Sequence, residues 1–364
     1  MKKYDVLKKH AMGLAVAALM TAGMSQTALA GETVYVKATS LRYRTSAQIK
    51  DDNIAGNLTY GQKVEKVSSG NGWTTILLNG KKYYVSSQYV TATKPAASSG
   101  GAVSAASVSE QTTGGTAIAL SSNYKYANYS KINSGTATLY RSTASNKKNK
   151  VVCVNAGHGT NGGGSVKTQC HPDGSAKVTG GTTGAGATSA VAVSSGMTFA
   201  DGTAESKVTL AMAKVLKTKL LNAGYDVLMI RESDDVQLDN IARTVIANNN
   251  ADCHIALHWD STSSNKGAFF MSVPSNATYR AMEPVASHWQ QHNQLGESLI
   301  GGLKSAGVKI YSKGSMEMDL TQTSYSTIPS VDIELGDKAS DHSGATLETL
   351  ANGLLAGVNT FFGQ

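Results

Sequence analysis

From Lys150 onward the chain alternates short, unbroken apolar runs with longer stretches whose apolar residues recur at helical spacing, and few folds accommodate that rhythm. VVCVN (151–155), YDVLMI (225–230), DCHIALH (252–258), GAFFMSV (267–273), KIYS (309–312) and SVDIEL (330–335) read as strands. Val208, Ala211, Met212, Val215, Leu216 and Leu220 line one face of a predicted helix over 205–223, and Gly224 marks its stop. Residues 236–249, 279–305 and 343–361 read as further helices. A strand that is apolar throughout has both faces covered. The expectation is therefore an α/β fold, with an open, mostly parallel sheet covered by helices. In such sheets the chemistry gathers where strands end at their carboxyl side.

Four polar residues fall at or near such ends. His158 follows VVCVNAG, His258 closes CHIAL, Glu334 closes SVDI, and Glu205 opens the helix at 205. Two histidines and a carboxylate are an ordinary ligand set for catalytic zinc, with a fourth position left for water. A second carboxylate beside that water can take its proton and hand it to a leaving nitrogen. By spacing alone, a strand-end histidine could equally cap a loop.

The local strings narrow the choice. VNAGHG (154–159), AESKVTLAMAKVLKTKL (204–220), the run from Tyr225 to Asp260 and PSVDIELG (329–336) resemble the four signature blocks of the zinc-dependent N-acetylmuramoyl-L-alanine amidases of the amidase-3 type. They occur in that family's order. The resemblance implies zinc held by His158, Glu205 and His258, with Glu334 as the catalytic glutamate. Arg231, Leu238, Arg243, Ala247-Asn248 and Ala251-Asp252 match the intervening framework. The implied reaction is hydrolysis of the amide between N-acetylmuramic acid and L-alanine in peptidoglycan. Departures are Asn155-Ala156 in place of Asp-Pro, Trp259-Asp260 in place of a small residue and Asn, and Asp337 in place of Phe. None removes a ligand. The largest departure is the stretch 159–204, 46 residues rich in Gly, Ser and Thr, where the family needs only a short loop. With both ends at expected ligands, it is expected to cover the zinc or contact substrate; the plainer alternative is a surface excursion.

Other histidines compete for the role. His254 and His258 share the outer spacing of a zincin helix but lie on one strand face, too far apart to chelate one ion easily. His254 is expected in the core. His288 and His292 sit one helical turn apart, yet no third ligand accompanies them and solvent exposure is the simpler expectation. His171 would approach the site only if the insertion folds over it. Asp332 alternates with Glu334 on one strand face, where it could support a ligand.

The amino-terminal third is of another kind. Lys2, Lys3, Lys8 and Lys9, an apolar run from Met12 to Met20, and Ala28-Leu29-Ala30 have the three parts of a secretory signal, so residues 1–30 are expected to be removed and the protein to work outside the cell, at the wall. The apolar run is too short for a permanent membrane span. Residues 31–92 alternate β-prone runs with turn signals. Among these, Asn79-Gly80 between WTTILL and KKYYVSS marks a hairpin. LRYRTS (41–46), IAGNLTYGQKV (54–64) and the run 71–91 resemble bacterial SH3-like domains, which implies a small all-β barrel that binds cell-wall material. Residues 93–134, rich in Ala, Ser, Gly and Thr, read as a linker, and 135–364 as the catalytic domain. Residues 31–91 hold eight Lys or Arg against four Asp or Glu, a net of +4. From Ile132 to the end, 18 basic residues face 19 acidic. The basic excess favours an anionic wall polymer near the barrel, and no compact stripe points to nucleic acid. Three cysteines leave at least one thiol unpaired; Cys153 and Cys253 read as small core hydrophobes. The combined expectation is a monomeric, secreted zinc amidase. The rivals are a zinc peptidase acting within the stem peptide and an inactive wall-binding protein.

Overall fold

The computed structural model describes residues 32–37, 40–48, 50, 53–59, 61–94, 110 and 112–364. The expected signal peptide and linker residues 95–109 lie outside them. The chain divides into two compact units, Met1–Gly100 and Gly101–Gln364.

The first unit is a seven-stranded antiparallel sheet of β1 (Glu32–Val36), β2 (Ser40–Arg44), β3 (Ile54–Thr59), β4 (Lys63–Gly70), β5 (Trp73–Leu78), β6 (Lys81–Ser86) and β7 (Val90–Thr91). Its strand order is β3-β2-β6-β5-β4-β1-β7. Asn79 and Gly80 both adopt left-handed backbone, at φ 50° and 75°, so the turn twists with the strands it joins. Alternate residues Val34, Val36, Val64, Ile76 and Val85 are buried with Leu41 and Leu58 in one small core.

The second unit is built on an eight-stranded sheet. Its strands are β8 (Thr116–Ala119), β9 (Thr136–Tyr140), β10 (Val151–Ala156), β13 (Asp226–Met229), β14 (Cys253–Asp260), β15 (Ala268–Ser272), β16 (Ile310–Glu317) and β17 (Ser330–Asp337). A separate hairpin, β11 (Lys167–Gln169) with β12 (Ser189–Val191), lies within the 159–204 insertion. The sheet order is β16-β15-β17-β14-β10-β13-β9-β8. Its centre, β17-β14-β10-β13, is parallel as expected. The flanks are not: β15 runs against β17, and β9 and β8 are antiparallel, so the sheet is mixed. Strand β8 also corrects the linker. Ile118 packs beside the sheet core, and pairing with β9 satisfies the backbone of a segment that composition alone presents as unstructured.

The helices are α1 (Glu205–Asn222), α2 (Asn240–Asn250), α3 (Ala277–Ala281), α4 (Val285–Ser305), α5 (Thr321–Tyr325) and α6 (Gly344–Phe362). The single helix expected over 279–305 is split at Met282-Glu283-Pro284, where proline cannot continue the hydrogen-bond ladder. The helix expected over 236–249 begins later, because Asp239 caps it by accepting from Ala242 N at 2.8 Å. Helices α1, α4 and α6 bury their apolar faces against Val152, Val154, Ile255, Leu257 and Ile333; α2 covers the opposite face around Cys153, Leu228 and Ile230. This two-sided cover explains the unbroken apolar strands. All three cysteines are free and buried, Cys153 and Cys253 in the sheet and Cys170 in the insertion. Tyr126 and Tyr129 pack edge-on against Tyr325, which accounts for the tyrosine-rich approach to the domain.

Candidate metal centre

Three of the sequence-predicted residues converge at the carboxyl end of the parallel strands. His158 follows β10, His258 lies in β14, and Glu205 is the first residue of α1, where the helix dipole favours a carboxylate. His158 Nε2 lies 2.9 Å from Glu205 Oε1, His258 Nδ1 lies 3.2 Å from the same oxygen, and the two ring nitrogens are 3.0 Å apart. The donor atoms of the trio lie within 4.8 Å of one another, the one such group among the described residues.

This set fits a zinc ion. Ligand atoms at zinc-bond length on a tetrahedron sit roughly 3.3 Å apart, close to these separations. The tautomers agree as well. His158 Nδ1 is 2.9 Å from the Ser194 carbonyl, which can only accept, so Nδ1 carries the proton and Nε2 is free to bind. His258 Nε2 faces Asp332 Oδ2 at 3.6 Å, leaving Nδ1 toward the trio.

The backbone is shaped around the ligands. His158 has a left-handed φ of 63°, a conformation with a cost that surrounding contacts must hold in place. Arg243 holds it, donating to the His158 carbonyl at 2.6 Å and to the Ala156 carbonyl and Asn155 Oδ1. Arg231 donates to the carbonyls of Ala156, Gly157 and Ser206. Burial draws both guanidiniums down, Arg231 to about 10 and Arg243, with Arg231 beside it, to about 9; both stay charged at neutral pH. Gly157 backs onto the His258 ring, where a Cβ would stand 2.2 Å from Cε1.

Two further carboxylates border the trio. Glu334 is paired in register with His258 across β14 and β17, and Asp332 lies two residues earlier on the same face. Glu334 Oε2 and Asp332 Oδ1 are buried without a hydrogen-bond partner. Burial and the neighbouring Asp332 raise the Glu334 carboxyl well above its usual range. Burial opposes a charged His258, yet Asp332, Glu205 and Glu334 outweigh it and push the imidazole up to about 10. Burial likewise works against an ionised Glu205, but hydrogen bonds and charge from His158 and His258 hold its carboxyl far below normal. The upward shifts of His258 and Glu334 both include the charge of neighbouring carboxylates, a local excess of negative charge that suits a divalent cation.

The other histidines lie elsewhere. His254 is fully buried between Asn155 and Ser330, as expected of a core residue. His292, expected in solvent, is buried instead and accepts from Ser330 N at 3.0 Å; His288 donates to the Pro284 carbonyl. His171 joins Asp319, not the trio. Sequence reading missed Ser194, Gly196 and Met197, which touch His158 and Glu205. Their contacts run largely through backbone atoms or a missing Cβ, and leave no side-chain signature.

Imidazole and carboxylate donors gathered at the strand ends of an α/β sheet make a candidate metal centre. Residues 152–354 match the model of the N-acetylmuramoyl-L-alanine amidase family, and the chain belongs to that family. The N-acetylmuramyl-L-alanine amidase of Mycobacterium smegmatis is similar in structure, at 19% identity and a TM-score of 0.46, over 60% of this chain and 99% of that one. An N-acetylmuramoyl-L-alanine amidase from Clostridium difficile is 18% identical with a TM-score of 0.43, over 60% of this chain and 99% of its own. No curated protein matches the chain.

Proposed function

We propose that this chain is an exported zinc amidase that hydrolyses the bond between N-acetylmuramic acid and L-alanine in peptidoglycan. The observation that carries the reading is the convergence of His158, Glu205 and His258 beside two buried carboxylate oxygens without partners. When bound there, zinc supplies Lewis acidity to the lactyl-amide carbonyl and lowers the pKa of water. His158 and Glu205 present their donor atoms toward one point, and Asp332 faces the far nitrogen of His258 at 3.6 Å. Glu334, in register beside His258, takes a proton from the attacking water and returns it to the alanine nitrogen as the amide breaks. The amino-terminal unit is proposed as an SH3-like module that keeps the enzyme at the wall, its +4 charge favouring anionic polymers. The working form is proposed to be a single chain.

The test is digestion of purified peptidoglycan followed by mass spectrometry of the fragments. An amidase leaves a free lactyl carboxylate on the sugar and a free amino terminus on L-alanine. A new terminus within the stem peptide would instead identify a peptidase, and unchanged wall a binding protein. Metal analysis is expected to find one zinc per chain. Glu334→Ala is expected to keep that zinc and the fold while losing roughly 10²–10⁴-fold in turnover, the usual contribution of a general acid–base group. Near-wild-type turnover would remove Glu334 from the mechanism.

A further inference from the structure

The 159–204 insertion touches the trio with its own backbone. Ser194 meets His158 Nδ1 through its carbonyl at 2.9 Å and its hydroxyl at 3.1 Å. Met197 N donates to Glu205 Oε2 at 2.8 Å, and Glu205 N donates to the Met197 carbonyl at 3.0 Å. Between them Gly196 has φ +82°, and a Cβ there would stand 2.8 Å from His158 Cδ2 and 2.9 Å from Glu205 Oε2. Residues 194–197 thus meet two of the three residues at His158 Nδ1 and Glu205 Oε2, while His158 Nε2 and Glu205 Oε1 face each other within the trio.

The insertion is also seated at a second place along its length, residues 171–179. Asp319 has a fully buried side chain that accepts from His171 Nε2 at 3.1 Å, Lys177 Nζ at 2.9 Å, Val178 N at 2.7 Å and Thr179 N at 3.1 Å, and from the Thr179 hydroxyl. Between the seat and the ligands runs the β11–β12 hairpin, and Val193 N closes onto the Gly163 carbonyl at 3.3 Å. A segment tied down at 171–179 and pressed on the ligands at 194–197 has little freedom to open as a flap.

We propose that the insertion is a positioning brace for the metal centre: it fixes the tautomer and ring plane of His158 and the rotamer of Glu205 through Ser194, Gly196 and Met197. The inference rests on the reading that the trio holds zinc. Its physical basis is general: partners behind a metal's ligands set their orientation, and losing one commonly costs roughly 10–100-fold in metal affinity.

The test uses the full chain, stripped of metal and titrated with zinc in competition with a chromophoric chelator. Gly196→Ala drives a methyl group onto both ligands. Gly186→Ala is the matched control, since Gly186 lies in the same insertion at φ +85° with no heavy atom near its missing Cβ. The expected result is a zinc affinity lowered roughly 10–100-fold in Gly196→Ala and unchanged in Gly186→Ala. Where Gly196→Ala does not fold, the imidazole nitrogen NMR shifts of the zinc-loaded wild type serve: His158 is expected protonated at Nδ1, which faces the Ser194 carbonyl, and bound through Nε2. Wild-type affinity in folded Gly196→Ala, or a His158 protonated at Nε2 where the shifts must serve, overturns the brace. A changed KM with zinc affinity intact overturns it too, and identifies a substrate cover instead. Wild-type protein that takes up no zinc refutes the metal centre itself, a result distinct from each of these.

Discussion

At the residue scale, the ligands depend on groups that never meet the shared centre. Arg243 joins the carbonyls of Ala156 and His158 to Asn155, so one buried cation closes the turn that presents a histidine at positive φ. Arg243→Met would keep much of the volume but leave the His158 carbonyl and Asn155 Oδ1 without a donor, while Arg231 still serves the Ala156 carbonyl. It is expected to destabilise the protein by about 2–3 kcal/mol, since a stranded buried acceptor costs about 1–3 kcal/mol. Urea unfolding would read the loss, and a shift below about 0.5 kcal/mol, within the range of ordinary surface substitutions, would mean that the turn holds without it. The convergence of His158, Glu205 and His258 was legible in the sequence through the strings that resemble the amidase-3 family, since spacing alone left a strand-end histidine free to cap a loop. Asn155, which stands where the resembled family usually has an aspartate, accepts from Arg243 and places its amide nitrogen 3.2 Å from His254 Nε2, a donor contact that a carboxylate could not make.

At the element scale, the insertion and the sheet meet through Asp319. Burial pushes its carboxyl up, but hydrogen bonds from His171, Thr179, Lys177 and Val178 prevail and hold it well below the ordinary 3.8. A carboxyl depressed on folding contributes stability that is fully present above its unfolded value and is lost as pH falls through the folded one. Stability should therefore fall as pH drops below about 4, and Asp319→Asn should flatten that acid limb while lowering stability at neutral pH. Unfolding curves across that range would check it; parallel acid limbs would show that other carboxylates dominate. None of this node was legible beforehand. Asp319 meets partners some 140 residues earlier in the chain, and no local periodicity records such a pairing. Helices α1, α2 and α6, by contrast, were legible to within a few residues, because a buried face repeats its apolar residues every turn; the break before α4 and the short α5 were not. The antiparallel flanks stayed hidden for a related reason: alternation of strand and helix reports what covers a strand, not which way its neighbour runs.

At the scale of the whole molecule, the two compact units invite separate tasks. Deleting residues 31–92 is expected to weaken retention on insoluble wall more than hydrolysis of a short soluble muropeptide, because tethering raises local concentration without altering the centre. Equal losses on both substrates would make the first unit part of the active site. The buried free thiols carry a consequence of a different kind. Cys153 and Cys253 lie in adjacent central strands, and Cys170 sits in the insertion, its amide bonded to the Thr188 carbonyl. A thiol reagent reaches a closed-in cysteine only during a moment of opening, so the chain carries its own stopwatch for each region. Slow alkylation under native conditions, resolved by peptide mass, is expected to mark Cys170 first, with Cys153 and Cys253 following later and together. One common rate for all three would mean that the insertion and the sheet come apart only as a single body.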